Sequence, residues 1–253
     1  MAFVRPYTFA DWDSTATICR ATLPPSLQHS ETAVRLAPYL WTHQYTLLNP
    51  QNCFVLDDGS GRAVGYVIGS TDVHRMAADY GRFVDLVGGK GPVEGVPAAI
   101  VEQARREVGP PPADLDDLQP SLVPDPAAAA ADDTTKQIVN ETHYLQQVYN
   151  PRWLLLDSTK TPLRKQLVSG TKYRAVMHID MLESHQRQGW GRAMIATFLA
   201  SIAKEGARGL QIGISGENTK VVAFYEKCGF RVEPGGEAEG GVWMVRDVSE
   251  TGW

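Results

Sequence analysis

Residues 178–204 read HIDMLESHQRQGWGRAMIATFLASIAK. An apolar, strand-like run reaches Leu182, a polar loop follows, and Gly189 and Gly191 then open a helix-like run. Met194, Ile195, Phe198, Leu199 and Ile202 recur there at helical spacing. A glycine near a helix start costs up to ~1 kcal/mol relative to alanine. The backbone at this junction therefore either packs closely or admits a close ligand.

The chain organises around this junction. YRAVMHIDML before it is strand-like. After it, GLQIGIS reads as a buried strand, NTKVVAFYEKCGF as a second helix with Gly229 past its end, and FRV and GVWMVRDV as closing strands. The last 80 or so residues thus read β-α-β-α-β-β. Near the start, FVRPYTF is strand-like and a helix follows to about Ala21. Residues 30–48 suit one or two helices with Pro38 between them. NCFVLDD and RAVGYVIGSTDV form a hairpin around Gly59-Ser60-Gly61.

Residues 74 to about 172 behave differently. Helical pieces are expected near 76–87, 97–108 and 135–148, and RWLLLD (152–157) suits a short strand or a buried loop. Between Gly109 and Asp133 lie six prolines, six aspartates and no basic residue, with an alanine run from Ala127 to Ala131. That composition predicts a disordered or loose acidic loop, a surface insertion without chemistry of its own.

Composition excludes several classes. The 253 residues are 43% hydrophobic and 21% charged, with a net charge of −5. This suits a globular domain and not a non-specific nucleic-acid binder, which needs a basic surface. Cys19, Cys53 and Cys228 form neither a disulfide framework nor a metal-ligand spacing, so reduced thiols and no metal are expected. No apolar run approaches the ~18–20 residues that cross a bilayer, and the N-terminus lacks the build of a signal peptide. A cytoplasmic location is expected, the nucleus remaining open.

Two readings of Gly189 and Gly191 compete. In one they relieve crowding in a tight turn. In the other they bare the unpaired N–H groups of a helix start, where Arg187 and Arg192 add positive charge and a diphosphate can sit. The surroundings favour the second. The loop opens with Gln186-Arg187-Gln188, it follows a strand, and a second motif stands downstream, where Asn218 is followed seven residues later by Tyr225 and then by Lys227 and Gly229-Phe230.

QRQGWG resembles the Q/R-x-x-G-x-G/A loop of the GNAT N-acetyltransferases, and ENTKVVAFYEKCGF is similar to that superfamily's second signature. The likeness is strong over about residues 172–232 and looser at the hairpin. The hairpin, the insertion and MHIDML together also resemble, more loosely, the acetyltransferase-like domain of O-GlcNAcases and related stand-alone microbial proteins. The resemblance implies an α/β (α+β) GNAT fold in one domain over 1–253. Its mostly antiparallel mixed sheet would be splayed at a cofactor slot and flanked by helices, with the insertion between the third and fourth strands.

It further implies acetyl-CoA as co-substrate. The diphosphate would lie on the backbone of Gln188 to Arg192, through Gly189, Trp190 and Gly191, with Gln186 and Arg187 also among the cofactor-binding residues. The pantetheine arm would pair with the backbone of Met181 and Leu182, with Asn218 and Phe224 on the other side. Gln188 stands where many relatives carry a basic residue, which trims the charge on the diphosphate.

Acetyl transfer to an amine needs the amine to lose a proton and the leaving thiolate to gain one. Tyr225, a phenol, is the expected donor. His178 and Asp180 are two apart on one strand and share a face, with Met177, Ile179 and Met181 turned the other way. A polar face on a central strand is costly unless it lines a cavity or is a mutually satisfied buried pair. Asp180 is the expected base or amine ligand with His178 assisting, and Asp72 is a weaker candidate for holding an ammonium group. The expected activity is acetyl-CoA-dependent N-acetylation of a small amine, an amino sugar or a protein lysine. The alternative is a non-catalytic CoA-binding sensor or docking module. Exposed closing strands suit pairing into a homodimer.

Overall fold

The computed structural model describes residues 1–129, 135–156, 162–237 and 241–248. The N-terminal part runs β1 (Phe3–Pro6), α1 (Trp12–Ala21), a single turn α2 (Pro25–Gln28), α3 (Glu31–Trp41), α4 (His43–Leu48), β2 (Phe54–Asp57) and β3 (Ala63–Ser70). The expected break at Pro38 falls instead at Thr42, whose φ of −134° leaves the helical region. Pro38 stays inside α3. A proline cannot donate to the carbonyl four residues back, here that of Val34. Arg20 Nε donates to that oxygen at 3.0 Å, so the helix passes through.

The insertion holds α5 (Val73–Ala78), α6 (Gly81–Gly88), α7 (Ala98–Val108), β4 (Leu122–Pro124), α8 (Pro126–Ala129), β5 (Gln137–Val139), α9 (Glu141–Tyr149), a π-helical turn at Arg152–Leu156 and α10 (Pro162–Ser169). The helix expected from 135 therefore begins at Glu141, after a short strand. RWLLL is a helical turn and not a strand; Asp157 lies outside the described residues. Residues 109–129 are not a loose loop. Gln146 Nε2 donates to the carbonyls of Asp114 and Asp117 at 2.9 and 2.7 Å, and Asn150 Nδ2 and Trp153 Nε1 both donate to that of Leu115. Side chains of α9 and the residues after it take up the backbone groups that a proline-rich segment cannot pair with itself. Residues 130–133 lie outside the described residues.

The chain closes with β6 (Ala175–Met181), α11 (Trp190–Lys204), β7 (Gly209–Ser215), a 3-10 turn (Gly216–Val221), α12 (Val222–Lys227), β8 (Arg231–Val232) and β9 (Gly241–Asp247), the β-α-β-α-β-β order read from the sequence. Seven strands form one sheet in the order β1-β2-β3-β6-β7-β9-β8, and β4 pairs with β5 in a separate ribbon. Only β6 and β7 run parallel; the other pairings of the large sheet are antiparallel. β9 is interior, and the edge beyond it is the two-residue β8, a short template for pairing between copies.

The strand period of two divides the sheet into two cores. Met177 and Met181 of β6 pack with Met194, Ile195, Phe198 and Ile202 of α11 on one face. Val176 of β6 and Tyr66 and Ile68 of β3 face α3, α4 and the insertion on the other. The three cysteines are free and buried. Among the described residues no helix is long and apolar enough to cross a membrane.

Candidate active site

The two parallel strands part almost at once. Ala175 faces Leu210 and Val176 faces Gln211, and no further pair follows. β6 stays paired to β3 as far as Met181, and β7 stays paired to β9 along its whole length. A V-shaped opening therefore lies in the middle of the sheet, from Met177 and Ile212 onward.

One arm of the V leads into the loop. Leu182 N–H donates to Val64 O at 2.9 Å, the last rung toward β3. Antiparallel pairing alternates direction along the strand, so Leu182 is spent on β3 and the backbone of Met181 faces the opening. Of the two residues expected to meet a pantetheine arm, Met181 turns its backbone toward the opening and Leu182 turns its N–H away. Gln186 Nε2 donates to Met181 O at 2.8 Å, and Gln188 Nε2 to Ser184 O at 2.9 Å. Both glutamine side chains tie the loop to itself, leaving its main chain outermost.

Two residues of this loop have left-handed backbone: Arg187 at φ +60° and Gly189 at φ +87°. Alternation of this kind turns successive N–H groups into one concavity, a setting for anions. Gly189 caps α11 without a side chain, and the Ala193 N–H is the first to close on it, at 3.3 Å. The N–H groups of Trp190 and Gly191 precede that bond and point out of the helix start. A side chain on Gly191 would place its Cβ 3.0 Å from Phe224 Cζ. Phe224 is 38% exposed, a large apolar ring standing beside the loop. Close packing thus accounts for Gly191, and the left-handed backbone accounts for Gly189. Trp190 packs against the α11 core, and Arg192 is exposed.

The second motif brings Tyr225 to the same opening. Its ring meets Phe224 and Phe230 edge-on, with centroids 5.2 and 5.5 Å away. Burial raises the phenol pKa above its ordinary value and the nearby charge of Asp180 raises it further, so the proton stays on at neutral pH. Asn218 is exposed in the 3-10 turn after β7 and interrupts it with φ −125°.

His178 and Asp180 do share a face of β6, opposite Met177 and Met181, but they meet different partners. Asp180 Oδ2 accepts a 2.5 Å hydrogen bond from Tyr66, which stands directly across the β3 ladder. Burial raises the Asp180 pKa, while the hydrogen bonds from Tyr66 and Thr22 act against that rise. The His178 ring lies 5.2 Å from that of Tyr45. Burial, and then the charge of Arg164, lower its pKa to about 4, so it is neutral at pH 7.

Asp72 is elsewhere. It caps α5, accepting from His74 N–H at 2.8 Å, and pairs with Arg174 at 3.4 Å. Arg174 precedes β6, so about 20 Å of strand separate that end from Asp180. Asp72 holds the insertion to the sheet and takes no part in the opening.

On the face away from α11, a cavity of about 230 Å³ lies at the apex of the V. Val176 and His178 of β6, Gln211 and Gly213 of β7 and Trp243 of β9 form its floor. Leu118, His143, Trp153 and Arg164 of the insertion form much of its roof. A Cβ on Gly213 would lie 2.8 Å from the Trp243 ring, so the glycine lets that ring lie against β7. Tyr66, Arg164 and Trp243 were not expected from sequence. Arg164 lies in a segment without a motif, and Tyr66 and Trp243 looked like ordinary core aromatics.

Residues 158–230 match the model of the acetyltransferase (GNAT) family. Over those residues the chain is similar to the GNAT acetyltransferases. The match spans α10 with Arg164, the parting strand, the loop, α11, β7 and the Tyr225 helix. The crystal structure of SsHAT superposes with a TM-score of 0.66 at 26% identity, covering 98% of this chain and 99% of that one. PH1933 from Pyrococcus horikoshii OT3 superposes at 0.50 with 9% identity over 98% of both chains, a likeness of fold alone. The uncharacterized N-acetyltransferase YvbK of Bacillus subtilis (strain 168) is 29% identical over 58 residues, which are 23% of this chain and 37% of that protein's length. The GNAT fold expected from the two motifs is the fold observed.

Proposed function

We propose that the protein is an acetyl-CoA-dependent N-acetyltransferase acting on a primary amine, with a small amine, an amino sugar and a lysine side chain as the candidate acceptors. One observation carries the reading. The opening between β6 and β7 has a loop with left-handed backbone at Arg187 and Gly189 on one side of the sheet and a cavity on the other, with Asp180 on β6 and Tyr225 on the helix that follows β7.

The residues fit acetyl-CoA. The N–H groups of Trp190 and Gly191, with Arg187 and Arg192, would hold the diphosphate, and the Met181 backbone would meet the arm once Gln186 releases its carbonyl. Phe224 and Asn218 would border it. Bound there, acetyl-CoA supplies an activated acyl group and a thiolate leaving group. Asp180 takes the amine proton, directly or through water. A lysine-like amine lies about 3.4 pH units above neutrality, so a local acceptor for its proton offsets roughly 4.6 kcal/mol. His178, neutral at the cavity wall, orients the amine. Tyr225 retains its proton at neutral pH and would give it to the thiolate.

Thiol release from acetyl-CoA across a panel of amines tests the reading. Release that depends on acceptor and falls in Tyr225→Phe and Asp180→Asn is expected. Thermal stabilisation by CoA without turnover of any acceptor would make the chain a CoA-binding module instead.

A further inference from the structure

The end of the sheet away from the loop carries a second cavity, built differently from the first. Three stretches of chain meet there: the turn from β3 into α5, the residues just before β6, and the turn from α11 into β7. They enclose about 370 Å³. The lining is almost wholly polar. Four cations, Arg75, Lys172, Arg174 and Arg208, stand there with two carboxylates, Asp72 and Glu205.

Both carboxylates are already engaged. Asp72 accepts from the His74 N–H at 2.8 Å and pairs with Arg174 at 3.4 Å. Glu205 accepts from Asn52 Nδ2 at 2.9 Å and from Thr71 Oγ1 at 2.7 Å. Lys172 pairs outside the lining, with Asp247 of β9 at 2.8 Å. Two cations are left without a carboxylate. The Arg208 side chain makes one hydrogen bond, from Nη2 to Thr171 O at 2.9 Å, and among the described residues the Arg75 side chain makes none. An unpaired arginine on an open surface is ordinary. Two that line one concavity, beside a third that is loosely paired, are placed to share one anion, on a chain whose net charge is otherwise −5.

A guanidinium is a planar fork of donors that matches carboxylate and phosphate oxygens. The two oxygens of a carboxylate fill one fork. A phosphate monoester offers three strong acceptor oxygens and answers arginines arriving from three sides, here from α5, from the start of β6 and from the start of β7. We infer that this cavity binds the phosphate group of a small molecule through Arg75, Arg174 and Arg208. Arg174 and Arg208 immediately precede β6 and β7, which pair only at Ala175 with Leu210 and Val176 with Gln211. A phosphate shared by these two arginines ties the strands together at the closed end of the V, and Arg75 adds the insertion to the same tie. The site stands apart from the acetyltransferase reading and from the loop at the other end of β6.

The test is calorimetric titration and thermal shift of the full chain with sodium phosphate, glycerol phosphate and sodium succinate, at an ionic strength held constant with sodium chloride. Arg187 and Arg192 would offer phosphate a second place, so Arg187→Gln/Arg192→Gln is titrated beside Arg75→Gln/Arg208→Gln. We expect wild type and the loop variant alike to bind phosphate or its ester saturably and in preference to succinate. Arg75→Gln/Arg208→Gln should weaken that binding by about tenfold or more, as for lost hydrogen bonds to a charged group. Its melting temperature in chloride should stay near that of wild type, because the pair gives up one hydrogen bond in all. If it does not fold, Arg75→Gln alone, whose side chain has no partner to lose, repeats the comparison. Tighter binding of the ester identifies a phosphorylated metabolite as the source, and equal binding identifies free phosphate. No saturable binding beyond the chloride control overturns the inference, and so does binding that is lost in the loop variant and kept in Arg75→Gln/Arg208→Gln. Succinate bound as tightly as phosphate overturns the assignment to phosphate.

Discussion

Tyr66→Phe isolates the carboxylate at the junction. Tyr66 is fully buried, faces Asp180 across the β3/β6 ladder and donates to it at 2.5 Å. Asp180 also interacts with Thr22, just after α1, with Cys19 of α1 and with Tyr225 of α12, and His178 shares its strand. A hydrogen bond to a charged group contributes about 1.5–3 kcal/mol. Removing it penalises the ionised carboxylate by that amount, and about 1.4 kcal/mol corresponds to one pH unit. The acid limb of kcat/KM, which on this reading reports ionised Asp180, should therefore move up by about one to two units. Well below both limbs the variant is then about 10- to 100-fold slower at a given pH, and on the plateau it is nearly normal. The assay is thiol release from pH 5 to 9, with melting curves to establish that the variant is folded. A folded variant whose acid limb stays in place would show that Asp180 is not the base, however close Tyr66 lies to it.

Four other outcomes follow from the same geometry. Gly189→Ala should cost about 1–2 kcal/mol of stability, since the added Cβ meets nothing within 4 Å and only the φ of +87° is strained; thermal shift should also show weaker stabilisation by CoA. Tyr225→Phe should lower kcat by about 10²- to 10⁴-fold while leaving CoA stabilisation in place, which separates proton donation from binding. Asp72→Ala should cost about 0.5–2 kcal/mol in denaturant melts as a lost helix cap and leave kcat unchanged. His178 has a folded pKa of about 4 against an ordinary 6.5, so between these values the unfolded chain binds a proton that the folded one refuses. Stability should be level above pH 6.5 and fall toward pH 4 by up to about 3 kcal/mol, with His43, buried against Trp12 and likewise held neutral, adding in the same direction. Urea melts at pH 7 and 4.5 should show a smaller difference in His178→Gln.

The cofactor side of this fold is legible in the sequence because its signals are local. Strand, glycine loop and helix are consecutive, and the φ of Gly189, the apolar stripe of α11 and the placing of Tyr225 each follow from residues a few positions apart. The acceptor side is not local. Tyr66 reaches Asp180 across 114 positions, and Arg164 reaches Gln211 across 47. Nothing in the pattern around 164 marks a binding wall. The acidic stretch misled for a related reason. Its prolines and aspartates are the composition of a loose loop, and many of the partners of its backbone groups are supplied from later in the sequence, by β5, by the side chains of α9 and by the residues after it. Asp72 misled in the opposite sense: an aspartate at a strand end near a suspected site was in fact a helix cap.

The charges along the opening are divided between the loop and the cavity. Arg187 and Arg192 stand at the loop, Asp180 at the junction and Arg164 at the far wall. A positive loop attracts a diphosphate. Asp180 lies between the two groups, on the strand that runs from the cavity to the loop. β6, β7 and the loop after β6 supply the opening; Arg164 comes from α10, which precedes them in the chain. Arg164 lines the cavity and not the loop, so replacing it should change how amines are used far more than how tightly acetyl-CoA is held. Comparing the CoA-induced thermal shift of Arg164→Gln with its acceptor KM tests that split: a large loss in the first with none in the second would place Arg164 on the cofactor's side of the sheet.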